Sequence, residues 1–245
     1  MKKPDLKRIR PRRAASSAAV TRPGRPRRAR AAAAPGHETP YHHGALRDAL
    51  LEAAERVLER DGLPGLTLRA VAREAGVSHA APTHHFGDLT GLLSELAAIG
   101  YRRFNTAMGA ARAAATLPME KGLASAKAYV RYARAHPGMY GLMFRTERLD
   151  MTRPSLREAA DASFAGFAGG IGADRHEQIS TEALTLAQAG LLTHAWSLVH
   201  GFTTLLLDGR LIKILQRLPE GTDPETLLVA MLMSTLGPPP GAGSA

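Results

Sequence analysis

Two stretches of helical periodicity that meet at one glycine place the strongest constraint on what this chain can fold into. In the first stretch the apolar residues recur at helical spacing, at Leu68, Val71, Ala72 and Ala75. Thr67 precedes them and can cap the first free backbone N–H groups, so we predict a helix over residues 67–75. Gly76 then suits a left-handed turn, from which Val77 can pack back onto the helix.

The second stretch predicts a short helix over residues 79–85, capped by Ser78. Pro82 falls in its first turn, where a proline is tolerated better than deeper in a helix. Upstream, one apolar stripe indicates a third helix, and it consists of Leu46, Leu50, Ala53 and Val57. Two helices at a glycine turn also occur as plain packing units, but together with a third helix they favour a helix-turn-helix that reads duplex DNA.

The segments GLPGLTLRAVAREAGVS and APTHHF follow YHHG, which stands at residues 41–44. In this order the motifs resemble the TetR-like bacterial transcriptional regulators over residues 41–104, and more loosely to the C-terminus. A later W-x-x-x-H-G element, at Trp196, His200 and Gly201, resembles one subgroup. The resemblance implies an all-α fold without a cofactor. It also implies an N-terminal three-helix helix-turn-helix domain over residues 40–89 and a helical ligand-binding and dimerisation domain over residues 90–237.

The candidate DNA contacts of the folded domain lie on the two predicted helices, at Thr67, Arg69, Ser78, His79, Ala80, Thr83 and His84. His79 is the main candidate for a base edge, because its imidazole can donate to or accept from a purine, whereas Ala80 offers only a methyl surface. Thr67 and Arg69 are placed to hold a phosphate by backbone N–H, hydroxyl and guanidinium together.

Two positions depart from the family pattern. Thr83 stands where an aromatic residue, often tyrosine, is usual, and Leu89 stands where a lysine is usual. Because both family residues commonly hold DNA phosphates, we expect the folded domain to grip the backbone less tightly than its relatives do.

The positive charge of the chain is concentrated near its N-terminus. Residues 1–35 hold 12 of the 32 Lys and Arg residues and one of the 22 Asp and Glu residues, which leaves 20 basic and 21 acidic residues elsewhere. We therefore predict a disordered basic arm over residues 1–39. Within it, PGRPRR at residues 23–28 resembles an AT-hook, whose arginine, here Arg25, would lie in a narrow minor groove. The alternative is a solvated basic tail that binds polyanions without preference.

Several classes of protein are disfavoured. The chain has no cysteine, so it has no disulfide framework, thiolate metal site or cysteine nucleophile. No apolar run has the length of a signal-peptide core or a membrane span, and a cytoplasmic, nucleoid-associated protein is expected. Neither His42 and His43 nor His84 and His85 have the spacing of a helical zinc site, and no catalytic motif appears, so we expect neither a metal site nor an enzyme.

The rest of the chain also reads as helical. We predict helices over residues 88–114, 120–135, 154–169, 182–207 and 223–236, a short turn over residues 136–144, and a loop at residues 170–174. The tail at residues 238–245 is predicted to be disordered. Two apolar stripes mark the last two helices, at Leu184, Leu191, Ala195, Val199, Phe202 and Leu206, and at Leu228, Met231 and Leu232. These stripes pack either within the subunit or, as the resemblance implies, against a second copy in a four-helix bundle.

A mixed set of methionine and ring side chains between the two domains is the candidate effector site, at Met139, Tyr140, Met143, Phe144, Trp196 and His200. The same residues also suit an ordinary core, with His200 as a structural histidine near Trp196. The predicted function is a ligand-responsive transcriptional regulator, a repressor, that binds a palindromic operator as a homodimer and is released by a small apolar effector. The alternative is an architectural DNA-binding protein that relies on its basic arm.

Overall fold

The computed structural model describes residues 43–235, and all regular secondary structure within that range is helical, as predicted. The predicted arm with Arg25 and the predicted C-terminal tail lie outside the described residues. The helices are α1 (His43–Gly65), α2 (Leu68–Glu74), α3 (Ala81–Phe86), α4 (Leu89–Ala113), α5 (Pro118–Ala135), α6 (Pro137–Met143), α7 (Pro154–Arg175), α8 (Leu186–Leu207), α9 (Ile212–Leu215) and α10 (Pro224–Thr235), with a 3-10 turn at Thr146–Arg148. Within residues 43–235 none of the helices is both long and apolar enough to cross a membrane.

The turn between α2 and α3 forms as the sequence predicts. The Thr67 hydroxyl accepts a hydrogen bond from the Ala70 N–H at 3.1 Å and caps α2. Gly76 adopts φ 68°, and the Val77 N–H donates back to the Ala72 carbonyl at 3.0 Å. This bond closes the helix end, while the half-buried Val77 side chain packs on the core.

The start of the following helix was predicted wrongly. α3 begins at Ala81 instead of residue 79, and Ser78 does not cap it through its side chain. Because Pro82 has no N–H, it cannot bond to the Ser78 carbonyl, and that carbonyl instead accepts from the Ala81 N–H at 3.1 Å in a tight turn. His79 and Ala80 therefore lie in this turn, directly ahead of the helix.

The segment at residues 136–144, predicted as a turn, is largely the helix α6. Pro137 occupies its first position, where a missing N–H costs nothing. The Glu59 carboxylate of α1 then accepts hydrogen bonds from the Gly138 and Met139 N–H groups at 3.3 and 3.2 Å. A partner from a distant part of the chain thus satisfies the start of this short helix.

Helix α7 runs through the predicted loop at residues 170–174. The Arg112 guanidinium donates to the Gly170 carbonyl at 2.8 Å and pairs with Asp174, which holds the last turns of α7 against α4. The helix ends at His176, which adopts the left-handed conformation with φ 55°. Tertiary contacts here outweigh the low helix propensity of two adjacent glycines.

The C-terminal helices differ from the prediction at their ends. Thr185 and Gln188 form a capping box, so α8 begins at Leu186 instead of residue 182. The prediction missed the single turn of α9. The last helix, α10, matches the prediction within one residue at each end.

One hydrophobic core is continuous from α1 to α7, and a second cluster joins α5, α8 and α10. Leu50, Ala53 and Val57 of the predicted α1 stripe are fully buried in the first cluster. Gly100 of α4 permits a close approach of α6, since a Cβ there would lie 2.8 Å from the Met139 sulfur. In the second cluster, Phe202 and Leu228 are buried.

Candidate DNA-reading surface and interior aromatic cluster

The α2–α3 unit presents its candidate DNA contacts together on one exposed segment. Ser78, His79 and Ala80 are exposed in the turn, and Thr83 and His84 are exposed on the short helix that follows. The other face of α3 is anchored by Pro82 and Phe86, which are buried. A short helix with one buried and one exposed face is suited to lying in a major groove.

The start of α2 adds two groups suited to a phosphate oxygen. Thr67 is exposed, and because its oxygen only accepts from Ala70, its own proton remains available to donate. Arg69 is also exposed and has no acidic partner within 4 Å among residues 43–235. Leu89, at the position where the family pattern has a phosphate-binding lysine, is half-buried and packs on the core.

Other arginines near α2 are neutralised by acidic neighbours. Arg60 pairs with Asp61 and Glu74, and Arg56 pairs with Glu74 through a hydrogen bond of 3.0 Å. The hydrogen bonds from Arg60 and Arg56 lower the pKa of the Glu74 carboxyl, which therefore stays ionised. The positive charge of Arg69 is thus less compensated than that of Arg56 or Arg60.

A cluster of hydrogen-bonded rings lies between α5, α6 and α8, where Tyr129 and Tyr140 are buried and His200 is half-buried. The hydroxyls of Tyr129 and Tyr140 lie 2.8 and 2.9 Å from Nδ1 of His200, and 3.4 Å from each other. Burial raises the pKa of both tyrosines, and burial lowers the pKa of His200. All three groups are therefore uncharged at neutral pH.

Four of the six residues predicted for an effector site share this cluster. The Phe144 ring centroid lies 4.7 Å from that of His200, and the Trp196 centroid lies 5.8 Å from it, so Tyr140, Phe144, Trp196 and His200 pack together. Met139 and Met143 are fully buried on α6 and lie close to Gly100 of α4. A surface depression of about 470 Å³ lies elsewhere, at the end of α7, and none of its lining residues belongs to the cluster.

Sequence reasoning missed Tyr129, which makes the shortest bond to His200. The signal available was the density of rings in the segment from Tyr129 to Phe144, which also holds Tyr132 and Tyr140. Which hydroxyl meets a histidine 71 positions away depends on how α5 and α8 cross. Within the described part of the chain, no group of three His, Asp or Glu side chains is arranged to hold a metal ion.

Comparison with known protein families gives two matches. Residues 50–96 match the family described as bacterial regulatory proteins, tetR family, and residues 123–233 match the tetracyclin repressor-like C-terminal domain. The first range contains α2, α3 and most of α1, and the second contains the ring cluster. The first match therefore contains the DNA-reading surface, and the second contains the ring cluster.

Individual proteins and solved structures are similar to parts of the chain. An HTH-type transcriptional regulator, BetI, of Burkholderia cenocepacia is 46% identical over 44 residues, which is 18% of this chain and 23% of the relative. The chain thus spans about a quarter of the curated relatives it matches. A protein of unknown function from Rhodococcus sp. RHA1 is 33% identical, with a TM-score of 0.63 over 80% of this chain and 96% of that one. A putative tetR family regulator from Shewanella sp. PV-4 shares the fold at 18% identity, with a TM-score of 0.57 over 78% of this chain and 97% of that one.

Proposed function

The chain belongs to the TetR family of transcriptional regulators with a DNA-binding helix-turn-helix, and we propose that it is a repressor that binds a palindromic operator as a homodimer and leaves it when a small apolar effector binds. The observation that carries this proposal is the set of exposed side chains at Ser78, His79, Ala80, Thr83 and His84, which follow the Gly76 turn, while Pro82 and Phe86 are buried. Selection of bound fragments from random duplexes tests it directly. A regulator prefers its palindrome over random DNA by about 10³ or more.

His79 is proposed as the principal base-reading residue, with Ala80 and Thr83 beside it. In support, His79 is exposed in the turn ahead of α3, at the end of the helix that enters the groove. We expect His79→Ala to weaken binding to the selected palindrome by about 1–3 kcal/mol and to leave random DNA almost unaffected. Equal weakening on both duplexes would reassign His79 to a phosphate.

Thr67 and Arg69 are proposed to hold a phosphate at the start of α2. In support, the hydroxyl proton of Thr67 is available to donate, and Arg69 has no acidic partner among the described residues. Arg69→Ala should weaken binding to every sequence and reduce the slope of log K against log salt by about 0.9. Arg56→Ala is the matched control, because that guanidinium is already paired with Glu74.

The homodimer is proposed to form through α8 and α10. A single subunit leaves large apolar side chains uncovered there, since Trp196 is 49% exposed, Leu205 42% and Met233 40%. Apolar surface of this kind is typical of an obligate interface. Leu205→Asp should convert the dimer to monomers in sedimentation analysis, and it should abolish binding to the full palindrome more than to a half-site.

The effector is proposed to bind at the cluster of Tyr140, Phe144, Trp196 and His200, together with Tyr129. The rings of this cluster are uncharged. They offer a largely apolar lining, in which the two tyrosine hydroxyls and the His200 imidazole are the polar groups. An effector acts only if it binds the two conformations of the dimer with different affinity. Release of the protein from its selected duplex by small aromatic compounds, and loss of that release in Phe144→Ala, tests this assignment.

The alternative function, an architectural DNA-binding protein, is favoured by the charge of residues 1–35, which hold 12 of the 32 basic residues. In that case the arm supplies most of the affinity. Removal of residues 1–36 would then abolish binding, and the full chain would not prefer a palindrome. For a repressor, the truncated protein keeps its preference, and its salt slope decreases by about 0.9 for each phosphate that the arm neutralises. Arg25→Ala separately tests whether the arm favours A·T-rich flanks.

A further inference from the structure

The C-terminal end of α3 is held by a residue from the C-terminal half of the chain. The carbonyl of Phe86, the last residue of α3, accepts a hydrogen bond from Nη2 of Arg153 at 3.1 Å. The final carbonyls of a helix have no partner within the helix and need one from outside. Because α3 has only six residues, its direction depends strongly on what holds its ends.

The backbone around this contact leaves no room for a side chain. A Cβ on Gly91 of α4 would lie 2.1 Å from the Phe86 oxygen and 2.5 Å from Nη2 of Arg153. The Gly91 N–H is held in turn by the carboxylate of Asp88, at 2.7 Å. The guanidinium therefore fits into a gap between the end of α3 and the start of α4 that only a glycine at position 91 leaves open.

The guanidinium of Arg153 is also fixed from its other side. Nη1 lies 3.9 Å from Oε1 of Glu95, and Nε lies 3.6 Å from the carboxylate of Asp150. Nε itself is buried and has no hydrogen-bond partner among residues 43–235. Burying an N–H without a hydrogen-bond partner costs free energy, so hydrogen bonding alone would not favour this position of the Arg153 side chain.

The ring of Phe86 is connected to the same carboxylate. Arg47 of α1 lies over this ring, 5.5 Å from its centroid, and donates to Oε2 of Glu95 at 2.6 Å. Ser155, in the first turn of α7, donates to Oε1 of Glu95 at 2.9 Å. The ring of Phe86 is thus linked to the start of α7 through Arg47 and Glu95. Its carbonyl is linked there directly through Arg153.

From these contacts we infer that Arg153 is a positioning residue, which sets the orientation of the DNA-reading helix from the C-terminal half of the protein without touching DNA. The inference rests on the proposed function, because it takes α3 as the reading helix. Its consequence is that a shift at the start of α7 changes which bases α3 can reach, since the Arg153 hydrogen bond ends on the last carbonyl of that helix.

The test compares Arg153→Ala and Arg153→Lys with Arg157→Ala in the full-length protein. Arg157 is exposed one turn further along α7, so its loss changes the net charge equally. The probes are a duplex selected by the wild-type protein from a random pool and a scrambled duplex of the same length. We expect Arg153→Ala to lower affinity for the selected duplex about tenfold, a loss of the size of a weakened base contact. Affinity for the scrambled duplex, the salt slope and all properties of Arg157→Ala should stay within about twofold of wild type.

Arg153→Lys separates geometry from charge. A lysine keeps the charge but lacks the planar fork that reaches Phe86 and Glu95 together, so it should behave as Arg153→Ala does. Amide hydrogen exchange of residues 81–87 provides a measurement independent of DNA, and it should accelerate in both Arg153 variants and not in Arg157→Ala. Gly91→Ala forces the same two groups apart while retaining the arginine, and it should give the same selective loss.

Three results would overturn the inference. Equal loss on both duplexes with a salt slope smaller by about 0.9 would make Arg153 a phosphate contact. Full rescue by lysine would show that only the charge matters, and unchanged binding would show that the contact has no role in reading. His79→Ala and Thr83→Ala are measured in parallel. If both leave the selected duplex unaffected, the reading assignment of the turn and α3 fails. If either weakens binding while Arg153→Ala does not, only the positioning role fails.

Discussion

In the cluster of Tyr129, Tyr140 and His200 two hydroxyls compete for one nitrogen, and this competition predicts how much stability each hydroxyl contributes. Nδ1 of His200 carries either one proton or one lone pair, so it makes one strong hydrogen bond, although both hydroxyls lie within 2.9 Å of it. Either Tyr129→Phe or Tyr140→Phe leaves the other hydroxyl in place. We therefore expect each single variant to lower the free energy of unfolding by only about 0.5–1 kcal/mol.

The double variant removes both partners from a half-buried nitrogen. Leaving such a group unsatisfied costs about 1–3 kcal/mol, so the loss in the double variant should exceed the sum of the single losses by about 1 kcal/mol. Urea unfolding followed by circular dichroism at pH 8 measures these values, at one protein concentration for all variants, since dimerisation would contribute to apparent stability.

Tyr132→Phe is the matched control on the same helix. Its hydroxyl donates to the Gly100 carbonyl at 3.1 Å and does not bond to His200. Its effect should add to that of Tyr129→Phe within about 0.5 kcal/mol. If the losses of Tyr129→Phe and Tyr140→Phe also add within that margin, the two hydroxyls do not share the nitrogen, and the reasoning is refuted.

Three further predictions concern stability. His200 has its ordinary pKa of about 6.5 in the unfolded chain, whereas burial lowers that pKa in the folded protein. The free energy of unfolding should therefore fall as the pH drops below about 6.5. The same pH series on His200→Gln should show a smaller fall. Leu228→Ala should lower the free energy of unfolding in urea by about 2–5 kcal/mol, because Leu228 is 0% exposed. Leu186→Ala is the control and should cost under about 0.5 kcal/mol, because that side chain is 91% exposed. Similar losses in the two variants would contradict the second core. Gly76→Ala should lower the free energy of unfolding by about 1–2 kcal/mol from its left-handed φ alone, since nothing lies within 4 Å of an added Cβ. A much larger loss in urea unfolding would mean that packing is also disturbed.

The parts of the fold that follow from neighbouring residues were predictable. The Thr67 cap and the Gly76 turn depend on residues within three to five positions, and both form as expected. The helix α6 and the long α7 were not predictable in this way. Their formation depends on Glu59 and Arg112, which are far away along the chain, and a local reading assigns Gly170 to a loop.

The same distinction applies to the DNA-reading surface and the ring cluster. Exposure of His79 and Thr83 follows from the local turn, although the start of α3 was placed two residues too early because the effect of Pro82 on the Ser78 carbonyl was not considered. The ring cluster was found in part, because Trp196 and His200 are one helical turn apart. Tyr129 was missed, since its approach to His200 depends on the crossing of two helices.

The core that runs without interruption from α1 to α7 bears on how this protein can be recombined. Leu58 of α1 lies so close to α6 that a Cβ on Gly138 would be 3.1 Å from its carbonyl. An excised reading head, residues 43–89, would therefore expose the apolar faces that α4 and α6 cover. Exchange of reading heads between relatives requires matching surfaces on both sides of the join, so a successful chimera has to carry the α4 and α6 contact residues along with the head.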